Sequence, residues 1–462
     1  MNESQTCSPL LPKAGVSSLL KPDLSADYAT IISGEGPYLF DSNGRRYLDG
    51  SSGAMVANLG HGRRDVAAVM ADQAATIAFT FRNQFSNEPA ERLANKLCGL
   101  APDGITRAFF VNSGSEASEY AIRLALHYWK ERKQPGKTKV LGRSTSYHGM
   151  TMGALSISGH AGRRPDYGPL LHRFANVPPA YCYRCPFDLQ PERCALECAE
   201  AWESEIIAQD PGTVAAVIAE PIVGAAGGVL PAPPGYFRKL REICDRHDIL
   251  LIADEVITGA GRTGAWFASE QEGIVPDLIL LAKGLSAGYT PMAAILLRDR
   301  VVDAFIQGSG VVPFGHTFSA NPLSAAVCLF VLDYIERNDL LRNARERGAE
   351  LQQGLQALSQ RHRSMVDVRG RGLLWGFELV ADRASRKPFD AKFNAAARLV
   401  AICRQRGLVI YPAGIAPYNN SFIVSPPLTV SSDHVEELLQ ILADSLDEFD
   451  ATIPTEPSTI SH

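Results

Sequence analysis

The sequence lacks three features that would point to partners other than small molecules. It has no basic excess, because 45 Lys and Arg against 50 Asp and Glu give a formal net charge of −5. That balance argues against nucleic acid or an anionic membrane as a partner. No apolar run is long enough to cross a bilayer. The N-terminal residues do not combine a charged start with an apolar core, so we predict no secretory signal and expect a cytoplasmic protein.

Cysteine is also scarce, with nine residues in a chain of 462. An odd number at so low a share predicts reduced thiols rather than a disulfide framework. The spacing C-x2-C-x8-C-x3-C is similar to that of a structural zinc knuckle and is formed by Cys182, Cys185, Cys194 and Cys198. The same spacing suits four thiols that pack a loop against a helix. We predict that no metal takes part in the reaction. A zinc ion bound by four Cys ligands would be structural, because it would have no open position for a substrate.

What the sequence does contain is a series of short apolar runs separated by helix-like stretches. The runs read RAFFVN, TKVLG, VAAVIAEP, ILLIADEV and LILLAKG. Most lack strict polar alternation, which is typical of parallel strands covered on both faces. We therefore predict a large α/β domain with a mostly parallel sheet over residues 61–330, and a smaller α+β domain over residues 331–462. Residues 1–60 are expected to pack with the small domain, and both chain ends to be loosely held.

Lys283 and Asp254 are the strongest catalytic candidates. Lys283 follows the run LILLA and precedes a glycine-rich turn, at a strand end where open α/β sheets place their ligands. Partial desolvation there would make its amine nucleophilic. Asp254 ends the run ILLIAD, and a buried carboxylate needs a partner such as a pyridinium N–H. Taken singly, each residue also fits a bland interpretation, as a solvated surface lysine and a loop acid.

A third candidate is the segment NSGSEASE, which follows a strand-like run and opens a helix. Ser113 is a natural N-cap, and Glu116 three residues later predicts a capping box. Gly114 allows a close approach of the backbone to an anion, and a helix N-terminus favours phosphate. Many helices begin in this way and bind nothing, so this motif alone is weak.

Together these segments resemble the class III aminotransferases, of the ω-amino acid type, among the fold type I pyridoxal-phosphate enzymes. The resemblance runs from about residue 34 to about residue 449. It is carried by NSGSEASE, SYHGMT, AEPIVGAAGG, LLIADEVITGAGRTG, LAKGLSAGYTPMAAILL and HTFSANPLSAA, in that order.

The resemblance implies a set of roles around pyridoxal 5'-phosphate. Lys283 would hold the cofactor as a Schiff base and shuttle the proton, and Asp254 would pair with its ring nitrogen. The remaining cofactor residues that it implies are Ser113, Gly114 and Ser115 for the phosphate, Tyr147 and Val256 for the two ring faces, and His148 and Glu220 for the surrounding wall. Thr317 would reach the phosphate of a partner subunit, which implies a homodimer with shared active sites.

The reaction is less closely defined than the cofactor, because one fold serves several reactions. We expect a transaminase that moves an amino group from an amine donor to a keto acid by a ping-pong mechanism. A lyase or racemase on the same fold is the alternative. A non-catalytic binding protein is a third, which the retention of both Lys283 and Asp254 disfavours.

The predicted substrate follows from a missing arginine. Many relatives that use α-keto acids clamp a carboxylate with an arginine, and Tyr411 takes that place here, where it cannot neutralise a carboxylate. Met55 stands where many amine transaminases have an aromatic residue. Arg82 either replaces the clamp from the partner chain or faces solvent. We therefore expect a primary amine or ω-amino acid as donor and a small keto acid, pyruvate, as acceptor.

Overall fold

A computed structural model describes residues 17–24, 26–313, 315–416 and 419–454 of the chain. Most of the two chain ends predicted to be loosely held lies outside this part. Within these ranges, no helix has both the length and the apolar character that membrane crossing requires. The cytoplasmic location stays a prediction.

Strands and helices alternate through the first two thirds of the described residues. The strands are β1 (Ile31–Glu35), β2 (Tyr38–Asp41), β3 (Arg46–Asp49), β4 (Ile105–Val111), β5 (Lys139–Arg143), β6 (Asn176–Val177), β7 (Val214–Ala219), β8 (Ile222–Val223), β9 (Leu230–Pro231), β10 (Leu250–Asp254), β11 (Leu278–Leu281), β12 (Ala293–Arg298), β13 (Met365–Arg371), β14 (Leu374–Leu379), β15 (Leu408–Val409), β16 (Tyr411–Ala413) and β17 (Ser421–Val424). The helices are α1 (Ser52–Met55), α2 (Arg64–Thr76), α3 (Glu88–Leu100), α4 (Gly114–Glu131), α5 (Met152–Ile157), α6 (Glu197–Ala208), α7 (Tyr236–Arg246), α8 (Ala268–Gln271), α9 (Asp299–Gln307), α10 (Pro322–Arg337), α11 (Leu340–Arg361), α12 (Ala395–Gln405) and α13 (Ser432–Thr452).

The five predicted apolar runs all contribute to one seven-stranded sheet, in the order β4-β12-β11-β10-β7-β5-β6. Its central strands pair in parallel, and every residue of β7, β10 and β11 is buried. Leu250 and Ile252 pack on the side of α4, whereas Leu251 packs on the side of α6 and α7. Helices on both faces explain why these strands are apolar throughout. The prediction of an α/β fold with a mostly parallel sheet is confirmed.

One strand of this sheet runs against the others. β12 pairs antiparallel with β11 on one side and with β4 on the other. β4 therefore points the same way as β10 and β11, and its carboxyl end lies at the same edge of the sheet as theirs. That edge carries the candidate site.

Three smaller sheets complete the described fold, with strand orders β1-β2-β3-β15, β13-β14-β17-β16 and β8-β9. The parallel pairing of Leu408 with Leu48 joins the last third of the chain to its N-terminal strands. α10 crosses residue 331. The division into residues 1–60, 61–330 and 331–462 remains a proposal, and limited proteolysis with mapping of the cut sites is its test.

Candidate active site

Lys283 lies just beyond the end of β11 and opens a short 3-10 turn, Lys283–Leu285. Its φ of 45° is in the left-handed region, which non-glycine residues adopt at a cost and which is frequent at functional sites. Burial lowers the pKa of the Lys283 amine to about 8, the nearby carboxylates of Asp254 and Glu220 oppose that shift, and the charge of Arg163 adds to it. With that pKa, about a tenth of the free amine is neutral at pH 7.

Asp254 is the last residue of β10 and stands opposite Leu280 of β11 in the parallel register. Only 5% of it is exposed. Its Oδ2 lies 2.7 Å from Nδ1 of His148, and its Oδ1 accepts the backbone N–H of Val256 at 3.1 Å. Two donors thus hold a buried carboxylate in one orientation, as burial of a charged group requires. Nε2 of His148 is buried and has no hydrogen-bond partner among the described residues.

Glu220 follows β7 at the same edge of the sheet. Its carboxylate accepts the backbone N–H of Tyr147 at 3.1 Å and that of Gly224 at 2.8 Å. Burial raises the pKa of Glu220, helped by the charge of Asp254 and opposed by those of His148 and Arg143. Glu220 therefore fixes the backbone that carries Tyr147 and adds a second carboxyl group to the site.

The N-terminus of α4 forms another wall. The Ser113 hydroxyl accepts the backbone N–H of Glu116 at 3.2 Å, so Ser113 is the N-cap. The return bond of a capping box is absent, because the Glu116 carboxylate accepts the N–H of Asn112 instead, at 2.7 Å. A Cβ on Gly114 would lie 3.0 Å from Val256, so a side chain there would crowd the wall of the site. The Ser115 hydroxyl accepts the N–H of Met150 at 3.0 Å and ties this turn to the loop after Tyr147.

These elements enclose a cavity of about 440 Å³. The predicted residues that line it are Ser113, Gly114, Ser115, Tyr147, His148, Glu220, Asp254, Val256 and Lys283. An amine, a buried carboxylate and a helix N-terminus thus converge in one space. They match the aldehyde, the ring nitrogen and the phosphate of pyridoxal phosphate, which fits this donor set.

Four predicted residues lie outside the lining of this cavity. Thr317 is exposed at the surface. Met55 is buried in an apolar cluster with Ile222 and Ile423, against which Tyr411 packs. Tyr411 lines a second cavity instead. Their substrate or cross-subunit roles remain predictions.

Arg82, the fourth, lines a surface groove beside α3, and its guanidinium lies 4.9 Å from the ring centroid of Phe109. Burial lowers the pKa of Arg82. The contact with Phe109 shows that it packs partly on its own subunit, and its role toward substrate stays open to test.

Sequence reasoning missed the loop that closes the cavity. Ser286, Gly288, Tyr289, Thr290 and Met292 all line it. These residues lie within LAKGLSAGYTPMAAILL, in which the sequence pattern identifies only the lysine as a site residue. The position of a loop between a 3-10 turn and an antiparallel strand follows from the tertiary pairing of β11 with β12, which local patterns do not report.

The four clustered cysteines are reduced in the structure. The Cys194 thiol donates to the Glu197 carboxylate at 3.2 Å, and its sulfur accepts the N–H of Leu196 at 3.4 Å. Burial raises the pKa of Cys198 to about 12, helped by the other three thiols. Over residues 17–454, apart from the gaps given above, no group of three or more His, Cys, Asp or Glu side chains is placed to hold a metal ion.

Comparison with known proteins gives consistent matches over nearly the whole chain. The family model described as aminotransferase class-III matches residues 24–446. An uncharacterized aminotransferase of Bacillus subtilis, YodT, is 41% identical over 433 residues, which cover 93% of this chain and 97% of that protein. A putrescine–pyruvate aminotransferase of Pseudomonas aeruginosa is 34% identical over 425 residues, 92% and 91% of the two chains. The crystal structure of an amine transaminase from an uncultivated Pseudomonas species, in its PLP-bound form, superposes with a TM-score of 0.89 at 35% identity and covers 96% of this chain and 100% of that one.

Proposed function

The chain belongs to the class III aminotransferases, and we propose that it moves an amino group from a primary amine or ω-amino acid to a keto acid, pyruvate. Its fold is that of the fold type I enzymes, and its cofactor is pyridoxal phosphate. The observation that carries the proposal is the convergence of Lys283 and Asp254 in one cavity. When bound there, the cofactor supplies a carbonyl carbon for the amine and a protonated ring that withdraws electrons from the substrate Cα.

Lys283 is proposed to hold the cofactor and, when a donor amine takes its place, to carry the proton of the donor Cα to the cofactor carbon on the other side of the amine nitrogen. Its lowered pKa supports this role, because an ordinary lysine would be almost wholly protonated near neutral pH. Asp254 is proposed to keep a proton on the ring nitrogen. The 2.7 Å contact with His148 supports that role by fixing the carboxylate that would accept the N–H.

The phosphate is proposed to bind at the N-terminus of α4, where Ser113, Gly114 and Ser115 line the cavity. Tyr147 and Val256 would cover the ring and exclude water from it. Thr317 is exposed and does not line the cavity of its own subunit. We therefore propose a homodimer in which Thr317 crosses to the partner site.

Exposed aromatic residues near Thr317 support such a dimer. Phe79, Phe81, Phe85 and Phe318 are between 42% and 64% exposed. Phe79 and Phe318 meet edge to face, with ring centroids 6.5 Å apart. A cluster of exposed aromatics is typical of a surface that a partner covers.

The alternative on the same fold is a lyase or racemase. The residues of the cavity serve these reactions equally well, so the preference for transamination comes from the family. We prefer a donor without an α-carboxylate because Tyr411 carries no positive charge that could neutralise one. Tyr411 lines a cavity other than that of Lys283.

A half-reaction screen tests the proposal. Purified holoenzyme is mixed with amines, ω-amino acids and α-amino acids in turn, and the cofactor absorbance is followed. Loss of the band with an amine or ω-amino acid, and its return on adding pyruvate, is the expected result. A band that no donor removes would favour the lyase or racemase, and fast reaction confined to α-amino acids would overturn the donor assignment.

A further inference from the structure

A second cavity, of about 500 Å³, is lined by two residues, His160 and Arg163, that contact the ring of Tyr147. Arg163, Arg404 and His160 all line it, together with Tyr411. None of the described residues that line it is acidic. The cavity therefore presents two permanent positive charges next to a residue of the active site.

Arg163 lines the second cavity and contacts a residue that lines the first. Its guanidinium carbon lies 4.3 Å from the ring centroid of Tyr147, which lines the cofactor cavity. Its charge also lowers the pKa of Lys283, although burial is the larger cause. An anion bound at Arg163 would thus lie within electrostatic reach of the reacting amine.

Arg163 differs from its neighbour Arg164 in what it contacts. Arg164 donates to the backbone carbonyls of Leu155 and Ser156, each at 3.1 Å, and so holds its own loop together. In the described part of the chain, no Asp or Glu lies within ion-pair distance of Arg163 or of Arg404. An arginine that faces a cavity without a carboxylate can bind one from a ligand.

His160 adds a neutral donor to the same wall. Burial and the charge of Arg163 both lower its pKa, so its ring is neutral near pH 7. Its Nδ1 is buried and has no hydrogen-bond partner among the described residues. Its ring meets Tyr147 edge to face, with centroids 6.1 Å apart. A buried ring nitrogen without a partner is costly unless a ligand or water satisfies it.

We propose that Arg163, with Arg404 and His160, binds a carboxylate at the end of the donor remote from its amino group. This inference rests on the proposed function and narrows it: the preferred donor is an ω-amino acid, rather than an alkylamine or a diamine. A diamine would place a second ammonium group beside two guanidinium groups, and like charges repel. Arg163 would then do the work of the arginine whose place Tyr411 takes in this sequence.

The test compares donors that differ only in their remote end: 5-aminopentanoate, pentylamine and 1,5-diaminopentane. Single-turnover half-reactions of the holoenzyme need no acceptor, so they report donor recognition alone. The wild type is expected to favour 5-aminopentanoate at least about tenfold in the apparent second-order rate constant. Arg163→Ala should lose about 10- to 100-fold for 5-aminopentanoate, mainly through weaker binding, and change pentylamine less than about threefold. Arg163→Glu should reverse the order in favour of the diamine.

Two further measurements separate recognition from structure. Arg173→Ala removes an exposed arginine of the same loop region and should leave all three donors unchanged. Calorimetry with pentanoate and with pentanamide reads binding without turnover, and only pentanoate should bind less well to Arg163→Ala. Equal loss of all donors in Arg163→Ala, or a wild type that prefers the diamine, would overturn the proposal. If no donor reacts at all, the proposed function fails, and pentanoate binding still decides the role of Arg163.

Discussion

Neutralising Asp254 is the perturbation whose size the structure defines best. The carboxylate is 5% exposed and accepts one donor on each oxygen, from His148 at 2.7 Å and from Val256 at 3.1 Å. In Asp254→Asn one of these oxygens becomes an NH2 group. If the amide oxygen keeps the Val256 N–H, the NH2 faces His148, which can accept it by changing tautomer. The fold should therefore lose only about 1 kcal/mol.

The loss of charge should cost far more in rate. A carboxylate about 3 Å from a pyridinium nitrogen, at an effective dielectric constant of about 20, contributes about 5 kcal/mol to keeping the ring protonated. If between half and all of this is felt in the transition state, turnover falls about 10²- to 10⁴-fold. Stopped-flow absorbance of the donor half-reaction measures the loss, and urea unfolding measures the stability.

The matched control is Glu255→Gln, one residue further along the chain. Glu255 is also buried, but its carboxylate accepts the N–H groups of Ala268 and Ser269, away from the cofactor cavity. Burial raises its pKa, and hydrogen bonds from Thr258, Ser269 and Ala268 oppose that shift. This variant should keep near-normal turnover. A folded Asp254→Asn enzyme within about threefold of wild type, or an equal loss in Glu255→Gln, would refute the role given to Asp254.

Three further predictions concern the charge of Lys283, the proposed dimer and the four clustered cysteines. The pKa of Lys283 in the folded protein, about 8, lies below its ordinary value of 10.5. Burial of the charged amine therefore lowers the free energy of unfolding by its full amount below pH 8. That loss of stability disappears as pH rises toward 10.5. With the cofactor removed, Lys283→Met should therefore be about 2–3 kcal/mol more stable than wild type at pH 7 and nearly equal to it at pH 10; an advantage that grows with pH in urea melts would contradict this. Thr317→Ala should weaken cofactor retention in dialysis about tenfold without unfolding the subunit, and light scattering that showed an active monomer would defeat the shared site. The four clustered thiols should all react with a thiol reagent in the purified, urea-unfolded protein, with no stoichiometric zinc by elemental analysis; one zinc per chain would restore the zinc-knuckle interpretation.

The central sheet could be predicted from the sequence because its strands are buried on both faces. Runs such as VAAVIA and LLIAD admit few other interpretations. Ser113 could be predicted as an N-cap because the cap depends on residues only three apart. The partner of the Glu116 carboxylate could not be predicted, because the N–H groups of Asn112 and of the N-cap compete for it and only the local backbone decides between them.

The second cavity could not be predicted in the same way. Arg163 and Arg404 are 241 positions apart by their numbers, and neither sits in a recognisable motif. Adjacent arginines at positions 163 and 164 look equivalent in the sequence, yet one holds backbone carbonyls and the other faces a cavity. Such a difference is fixed by the packing of α12 and of the loop after α5, which composition and spacing do not encode.

The central claim is that one amine, that of Lys283, holds the cofactor. Reduction of the holoenzyme with borohydride fixes the cofactor covalently to whichever lysine carries it, and peptide mapping by mass spectrometry locates the label. A single labelled site at Lys283 is expected, and no label there once an amine donor has converted the enzyme to its aminated form. A label on any other lysine, or a Lys283→Ala protein that still acquires the label and turns over, would contradict it.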